Sequence, residues 1–445
     1  MKPRWILQAF WLGAGLIAGP AAWTQPATGL TVSNGPIVQP ADAQPSARGW
    51  LNLRELAEAA LATHPLLQAS RLQVQAAQQD IKVAQLQQWP TVSMVAESNT
   101  GNTASTPSRL LRLDQTVWDS GRIASRITET RHQSALALSQ EQLQRHELLL
   151  QVVNAWQGLI AAQARLRVAQ QTLLRLQFYK EQMVRRVQAQ ASATIDLELV
   201  EARVLQTQVE LSTAQTSVRL ALKRLEELTG QQDLSRRGGD VPSPPPLQAT
   251  SRFVLVQAQT DWANIVEQSP SLVRARQERE LAATRLGTKK AEQWPQVYVR
   301  YDKPLWNSTV HHITQPTVFA GLRYTPGAGF SGMAEIEALV MRLQSQEVVI
   351  DAARRDIRQS IQNDLEEFST SRERITAIEQ SVEGSERVLE SYLRQFQANR
   401  KSWLDVLNSA RELAQNQYGL AEAHAGMLGA LHRLQVRTGE LPALP

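Results

Sequence analysis

Cysteine is absent from the 445 residues, which excludes disulfides, thiolate metal sites, cysteine nucleophiles and a lipid anchor on an N-terminal cysteine. Long apolar runs are also missing, apart from one near the N-terminus, so the chain is not a polytopic helical membrane protein. Basic residues outnumber acidic ones by only five, 47 against 42, which is too small an excess to indicate nucleic-acid binding. With 42% hydrophobic and 20% charged residues, the composition is that of a folded protein.

The first residues have the features of an export signal. Lys2 and Arg4 precede an apolar run over residues 5–18, and small residues follow it. A single membrane anchor would need about 20 uninterrupted apolar residues, and Pro20 ends this run early. We therefore predict a signal peptide over residues 1–23, with no clear cleavage site, and a flexible mature N-terminus over residues 24–49.

The rest of the chain contains an internal repeat. Gln88-Trp89-Pro90 recurs as Gln293-Trp294-Pro295 at an offset of 205, and Thr229-Gly230 recurs as Thr438-Gly439 at an offset of 209. Such distant matches at nearly one offset indicate two copies of one fold. We predict a first repeat over residues 50–230, a linker over 231–260, a second repeat over 261–439 and a tail over 440–445. Each repeat is predicted to contain a helix, two strands and a long helical hairpin.

The predicted strands have one apolar and one polar face. Strands of about ten residues can cross a bilayer at a tilt, so we predict that the apolar residues face lipid and the charged ones face a lumen. The predicted lipid-facing residues include Leu111, Leu113, Val318 and Leu322, and the predicted lumen-facing residues are Glu97, Arg112, Asp114, Arg300 and Asp302. Four aromatic residues flank the strands on one side, where an interfacial girdle belongs; they are Trp89, Trp118, Trp294 and Tyr324.

Long proline-free regions follow each strand pair. Residues 361–396 carry six apolar positions at a spacing of seven, which predicts a coiled-coil seam; these are Ile361, Phe368, Ile375, Val382, Leu389 and Phe396. Residues 119–188 would form a helix of about 105 Å. The predicted fold is therefore mainly α with a β-barrel portion. Four strands cannot close a barrel, and open sheet edges are not tolerated in lipid, so the chain must oligomerise as two or three copies.

These features together resemble the TolC-type outer-membrane efflux protein family. The resemblance rests on the Val117-Trp118-Asp119-Ser120-Gly121-Arg122 segment, the duplicated halves and the terminal Leu-Thr-Gly, and it covers about residues 50 to 440. It implies a homotrimer with a twelve-stranded transmembrane β-barrel in the outer membrane, continued by an α-helical tunnel through the periplasm. It further implies a passive duct without enzymatic activity or cofactor, which works with a periplasmic adaptor and an inner-membrane ABC or proton-driven pump.

The same resemblance assigns residues to the periplasmic entrance of the tunnel. It implies that Asp196 belongs to the links that hold the entrance closed, that Lys401 takes the place of a linking arginine and that Phe396 replaces a tyrosine. Asp405 matches the first of two acids that form entrance rings, and Asn408 replaces the second. Two interpretations stay open for Asp405: a ring that attracts cations, or a first-turn residue that stabilises its helix.

The exported substrate is less well defined. Short outer loops and the glycine-rich turn at 327–332 resemble family members that serve type I protein secretion, including that of large adhesins. Efflux of small molecules or drugs is the alternative within the same fold, and a secreted coiled-coil structural protein without a barrel is the alternative from another class. The turn also matches GxGxxG, the motif of dinucleotide-binding turns. A helix of about 70 residues follows it instead of a short crossover helix, which argues against dinucleotide binding. We interpret His311-His312 as a solvated loop, not a metal site.

Overall fold

The computed structural model describes residues 52–97, 108–232, 234, 261–305, 315–325 and 327–441. The predicted signal peptide, the segment 24–49, His311-His312, most of the predicted linker and the end of the tail lie outside these residues. The first half contains α1 (Leu53–Thr63), α2 (Pro65–Leu86), β1 (Thr91–Glu97), β2 (Ser108–Trp118), α3 (Arg122–Gln188) and α4 (Thr194–Thr229). The second contains α5 (Trp262–Gln268), α6 (Pro270–Glu292), β3 (Gln296–Pro304), β4 (Thr317–Arg323), α7 (Gly332–Gln397) and α8 (Trp403–Thr438). The fold is mainly helical with one small sheet, as predicted.

The first helix of each half is broken by a proline. Asn52 caps α1 through its side-chain oxygen, which accepts from the Arg54 N–H at 3.1 Å. The sequence predicts one helix over residues 52–88 with a kink or late start at Pro65, but the structure contains two helices. His64 is extended, with ψ 123°, because a residue before proline is disfavoured in the helical region. In the second half, Ser269 precedes Pro270 and is extended in the same way, with ψ 134°.

Two helices of the described part are far longer than the others. Helix α3 has 67 residues and α7 has 66, so each spans about 100 Å. Each turns back into a 36-residue helix, α4 or α8. The two turns contain Gln190 and Asn399, with φ of 56° and 54°, in the left-handed region that few non-glycine residues adopt. None of the helices in the described part of the chain has the length and apolarity needed to cross a membrane.

Two hydrophobic cores hold the hairpins together. Of the seam positions on α7, Ile361, Phe368, Ile375 and Leu389 are buried, and Val382 and Phe396 are half-buried. The larger core joins α1, α3, α4, α7 and α8, and it includes Leu234, a fully buried residue inside the segment predicted as a linker. The smaller core lies near the hairpin turns and contains Tyr179, Met183, Val200 and Trp403. The hairpins are therefore joined near their turns as well as along their length.

A buried ion cluster joins α7 to α8 within the larger core. Asp364 is 6% exposed, and its two carboxylate oxygens accept from Arg433 Nε at 2.6 Å and from Arg437 Nε at 2.8 Å. A buried carboxylate needs such partners because desolvation alone would cost several kcal/mol. Nearby, burial and then the positive charge of Arg437 lower the pKa of His146 from 6.5 to about 4.

The low pKa of His146 predicts acid sensitivity of the helical region. Between pH 6.5 and about 4 the unfolded chain binds a proton at this residue that the folded chain does not bind. The free energy of unfolding should therefore fall in this window, by up to about 3 kcal/mol from this group. We expect His146→Gln to reduce the loss of thermal stability between pH 7 and pH 4, measured by circular dichroism. His132→Gln on the same helix is the control. An equal loss of thermal stability between pH 7 and pH 4 in both variants would contradict the prediction.

Candidate functional site

The four strands form one antiparallel sheet in the order β1-β2-β3-β4. The central pair, β2 with β3, joins the two halves of the chain, whereas β1 and β4 each have one neighbour. Strands β2 and β3 have 11 and 9 residues, close to the expected ten, but β1 and β4 have 7 each. Among the described residues of one chain, the outer edges of β1 and β4 are therefore unpaired.

The charged residues of the sheet's polar face form two ion pairs across β2 and β3. Arg112 lies opposite Asp302, and Asp114 lies opposite Arg300. The Arg112 guanidinium donates to both carboxylate oxygens of Asp302, at 3.0 and 3.3 Å, and Arg300 Nε donates to Asp114 Oδ1 at 2.8 Å. The fifth predicted residue, Glu97, ends β1 opposite Ser108 and is not part of these pairs. The sequence predicted charges of both signs on this face. The strand register brings four of them together as two neutral pairs.

An aromatic ring crosses the polar face beside these ion pairs. Tyr298 on β3 lies opposite Gly321 on β4, and a Cβ added to Gly321 would come within 2.6 Å of the Tyr298 ring. A side chain at position 321 would therefore displace this ring from its place on the polar face. The Arg323 guanidinium lies 4.7 Å from the ring centroid on the same face, a distance suited to a cation–π contact.

The opposite face of the sheet is apolar and exposed in the single chain. Val318 and Leu322 on β4 are 69% and 67% exposed, and Met94 on β1 is 76% exposed. Leu111 and Leu113, on the inner strand β2, are half-buried. Simple alternation predicts Val117 on this face with Leu113, but a bulge between Thr116 and Trp118 shifts the register, so that Trp118 pairs with Val297.

The four predicted girdle residues lie at one end of the sheet, where the helices begin. Trp89 and Trp294 precede β1 and β3, Trp118 is the last residue of β2, and Tyr324 follows β4. All four side chains are exposed, by 49% to 70%. Large exposed aromatic side chains at one level are typical of a membrane interface.

At the hairpin turns, Asp405 is engaged in capping its own helix. Its carboxylate accepts from the Ser402 N–H at 3.2 Å and from the Ser402 hydroxyl at 2.7 Å, and the same hydroxyl accepts from the Asp405 N–H. This is a capping box. The bonds from the Ser402 hydroxyl, then from its N–H, hold the pKa of the exposed Asp405 carboxyl below its usual value.

The other predicted entrance residues lie at the same end of the molecule. Lys401 Nζ is 3.9 Å from Asp405 Oδ2 and 4.4 Å from the centroid of the Tyr392 ring. Asp196 lies in the first turn of α4, and Asn408 is half-buried on α8. Within the described residues of one chain, no ion pair joins Asp196 to Lys401. The implied link therefore remains a proposal for contacts between copies.

An aromatic cluster at these turns was missed in the sequence. Trp403, 3% exposed, packs edge-on against Tyr179 of the other hairpin, with ring centroids 5.7 Å apart, and lies 4.9 Å from the ring of Phe396. The Arg186 guanidinium covers Phe396 at 4.7 Å, and Arg186 Nε donates to Ser192 Oγ at 3.1 Å. Phe396 therefore contacts the other hairpin through the Arg186 cation, whereas Trp403, on the same hairpin as Phe396, contacts Tyr179 of the other hairpin. Nothing in sequence spacing indicates which residues of another hairpin such a side chain meets.

The glycine-rich turn before α7 is explained by its backbone. Gly327 and Gly329 have φ of 87° and 61°, so the turn into α7 requires glycine for its backbone. The 66-residue helix that follows leads to no parallel strand in the described part of the chain, which agrees with the turn interpretation. Among the described residues, no group of histidine and acidic side chains could hold a metal ion.

Comparison with known proteins shows a partial family match and a shared fold. Residues 56–231 match the model of the outer membrane efflux protein family. A structure of CusC is 16% identical, with a TM-score of 0.73 over 86% of this chain and 91% of that chain. The outer membrane protein VceC from Vibrio cholerae is 16% identical, with a TM-score of 0.74 over 87% and 96%. The open MtrE outer membrane channel of Neisseria gonorrhoeae is 15% identical, with a TM-score of 0.65 over 85% and 88%. None of the curated protein sequences compared matches the chain.

Residues 56–231 thus match the outer membrane efflux protein family, and the described chain shares the fold of the outer-membrane channels CusC, VceC and MtrE, in agreement with the resemblance seen in the sequence.

The paired charges of the polar face generate a prediction about stability. Asp302→Asn should leave Arg112 without its carboxylate in a site where the two side chains are only 20% and 11% exposed. Leaving one partner of a buried pair uncompensated costs more than removing both. We expect Asp302→Asn to lower the apparent melting temperature of the detergent-purified protein more than Arg112→Gln combined with Asp302→Asn does. A double variant less stable than both single variants would argue against the pair.

Proposed function

We propose that three copies of the chain join their sheets edge to edge into a twelve-stranded transmembrane β-barrel, continued by a helical tunnel through the periplasm. The observation that carries the proposal is the pair of unpaired edges on β1 and β4. In lipid, each unsatisfied backbone group costs several kcal/mol, and bacterial barrels begin at about eight strands. One chain has too few strands, and the resemblance to TolC-type proteins favours three copies over two.

In this assembly the apolar face of the sheet contacts lipid and the polar face lines the lumen. The aromatic end of the sheet then lies at the periplasmic interface, because the helices leave the sheet there. The predicted signal peptide over residues 1–23 would deliver the chain across the inner membrane. The assignment is supported by the exposure of Met94, Val318 and Leu322 in the single chain, since large exposed apolar patches mark interaction surfaces.

The polar face would make a lumen with little preference for the sign of a charge. Arg112 with Asp302 and Arg300 with Asp114 neutralise each other at bonding distance. Rings of one sign select ions in channels, whereas the described part of this face carries these two neutralised pairs and one further charge of each sign, Glu97 and Arg323. A wall of this kind suits a passive exit duct for cargo of varied charge.

We assign the duct to a tripartite export system with a periplasmic adaptor and an inner-membrane ABC or proton-driven pump. The proposed cargo is a polypeptide of a type I secretion system, including a large adhesin, and the glycine-rich turn at 327–332 is the feature that supports it. Efflux of small molecules is the second candidate, favoured by the match of residues 56–231 to the efflux protein family. The sheet and this match both argue against a secreted coiled-coil structural protein.

Deleting the gene in its own host separates the two cargo classes. A type I duct predicts that one or a few large proteins disappear from the cell surface and the medium, with unchanged sensitivity to toxic small molecules. An efflux duct predicts the reverse. Complementation with the intact gene is the control. If neither the secreted proteins nor the sensitivities change, while the channel is present in wild-type membranes, both cargo proposals are wrong.

The lipid-facing assignment predicts a dependence on depth. Leu113 lies near the middle of β2, whereas Leu322 is opposite Val297 near the helical end of the sheet. A lysine on a lipid face costs about 2 to 4 kcal/mol at the midplane and about 0 to 1 near the interfaces. We expect Leu113→Lys to destabilise the assembled barrel far more than Leu322→Lys, measured by heat-dependent migration on gels. Ser93→Lys on the polar face is the control, and equal effects of all three lysines would contradict the assignment.

The entrance proposal predicts how Asp405 acts. In a trimer its carboxylate would recur three times around a narrow aperture and attract cations. Ser402→Ala removes the cap of the helix but keeps this charge, whereas Asp405→Ala removes both. We expect only Asp405→Ala to lower cation selectivity and block by multivalent cations in planar bilayers. If both variants lower thermal stability and neither changes selectivity, Asp405 acts only as a helix-capping residue.

A further inference from the structure

A cavity of about 370 Å³ lies where the two halves of the chain meet. Helix α3 of the first half forms one part of its wall, and α5, α6, α7 and the end of α8 form the rest. Gln142, Gln268 and Gly439 line the cavity and are exposed to solvent, so the cavity is open at this rim. Its volume lies at the lower end of the range for small-molecule sites in proteins.

The titratable groups on the cavity wall are all bases. Arg145 and His146 come from α3, and Arg437 comes from the last turn of α8. The described residues that line the cavity include no aspartate or glutamate. The other polar groups are amides and hydroxyls, including those of Ser269 and Thr438. A concave wall that carries charge of one sign attracts ligands of the opposite sign.

Arg145 supplies the positive charge that is not neutralised. It is half-buried, and within the described part of the chain no hydrogen bond or ion pair engages its guanidinium. Arg437 already donates from Nε to Asp364 at 2.8 Å. Asp364 also accepts from Arg433, which donates to Glu367 as well. These two carboxylates therefore balance the two arginines that they bind, and they leave the charge of Arg145 in surplus.

The third basic group, His146, is neutral at pH 7. Burial, and then the positive charge of Arg437, lower the pKa of His146 from 6.5 to about 4. A neutral imidazole still has one N–H that can donate a hydrogen bond. The cavity wall thus offers two guanidinium groups and one neutral donor from the facing helices α3 and α8.

The end of α8 does not supply the missing negative charge. A helix C-terminus has a partial negative charge on its last carbonyl groups. Here the chain reverses at Gly439, with φ 79°. The N–H groups of Gly439 and Glu440 donate to the carbonyls of Val436 and Gln435. Two of the last carbonyls are therefore already satisfied within the turn.

We infer that this cavity binds a small organic anion with a phosphate or carboxylate group and an apolar body. The guanidinium of Arg145 and the terminal nitrogens of Arg437, which no described residue engages in a hydrogen bond, would hold the acid group, because arginine binds phosphate and carboxylate through paired hydrogen bonds. Leu149, Ile265 and Ile357 provide an apolar part of the wall for the body of the ligand. The inference goes beyond the proposed duct and does not depend on it, since all these residues belong to one chain.

The test uses the full-length protein purified in detergent, with phenyl phosphate and phenylacetate as the probes. Both probes have the same apolar ring, and they differ in the acid group. Binding is measured by isothermal titration calorimetry and by the rise in melting temperature that a ligand of the folded state produces. We expect one bound molecule per chain. Inorganic phosphate and phenol, which each have only one of the two parts, should bind more weakly, and the tighter probe identifies the acid group of the ligand.

Variants on α3 separate the cavity from general effects of charge. We expect Arg145→Gln to weaken binding at least about tenfold, because a hydrogen bond between charged groups is lost. Arg145→Lys keeps the charge but loses the paired hydrogen bonds, so its affinity should be intermediate. This variant decides the question if Arg145→Gln does not assemble. Arg167→Gln removes the same charge from an exposed position on the same helix and should leave binding unchanged.

Three results would overturn the inference. The first is that neither probe binds the wild-type protein at millimolar concentration. The second is that Arg145→Gln and Arg167→Gln weaken binding equally. The third is that the probes raise the melting temperature of Arg145→Gln as much as that of the wild-type protein. In that case Arg145 stabilises only the end of α8, where a cation is favoured in any protein.

Discussion

Strands β2 and β3 come from different halves of the chain, and they pair along their length with two ion pairs across their polar face. This pairing is the constraint on which the rest of the molecule depends. It places the two strand pairs side by side in one sheet, so the four chain segments leaving the sheet at its aromatic end are neighbours. The four helices that adjoin the sheet there then pack as a bundle, with α2 and α6 ending at the sheet and α3 and α7 beginning at it. The height of that bundle follows from the 67 and 66 residues of its long helices.

The same pairing leaves a problem that one chain cannot solve. The described four-stranded sheet has two open edges, and the apolar side chains on its outer strands are exposed. Edge closure and burial of the apolar face are separate requirements, and lipid supplies only the second. In the proposed assembly, self-association supplies the first. The helices also expose apolar side chains in the single chain, including Leu205 and Val209 on α4 and Met341 and Val348 on α7, which the proposed assembly would place against neighbouring copies.

Much of this architecture could be predicted from the sequence because it follows from the periodic spacing of apolar residues. The alternation of apolar and polar residues predicted the four strands and their faces. The spacing of apolar residues by seven predicted the buried face of α7. Features that depend on contacts between distant segments could not be read in this way. The bulge at Trp118, the salt bridges of Asp364 and the packing of Trp403 against Tyr179 need the register or the neighbour to be known. For Asp405, the Ser402-x-x-Asp405 pattern carried a local signal, and the capping box is present.

The central claim is that sheets of separate copies close on one another through β1 and β4. Because the chain has no cysteine, disulfide or bifunctional cross-linking can test this contact directly in outer membranes. One cysteine replaces Ser93 on β1, and a second is placed in turn at Thr317 or Phe319, on the same face of β4. The account predicts that at least one combination gives covalent dimers and trimers and nothing larger, because a closed ring of three has no free edge. Cross-links that never join separate chains, or a ladder that continues beyond three copies, would contradict it.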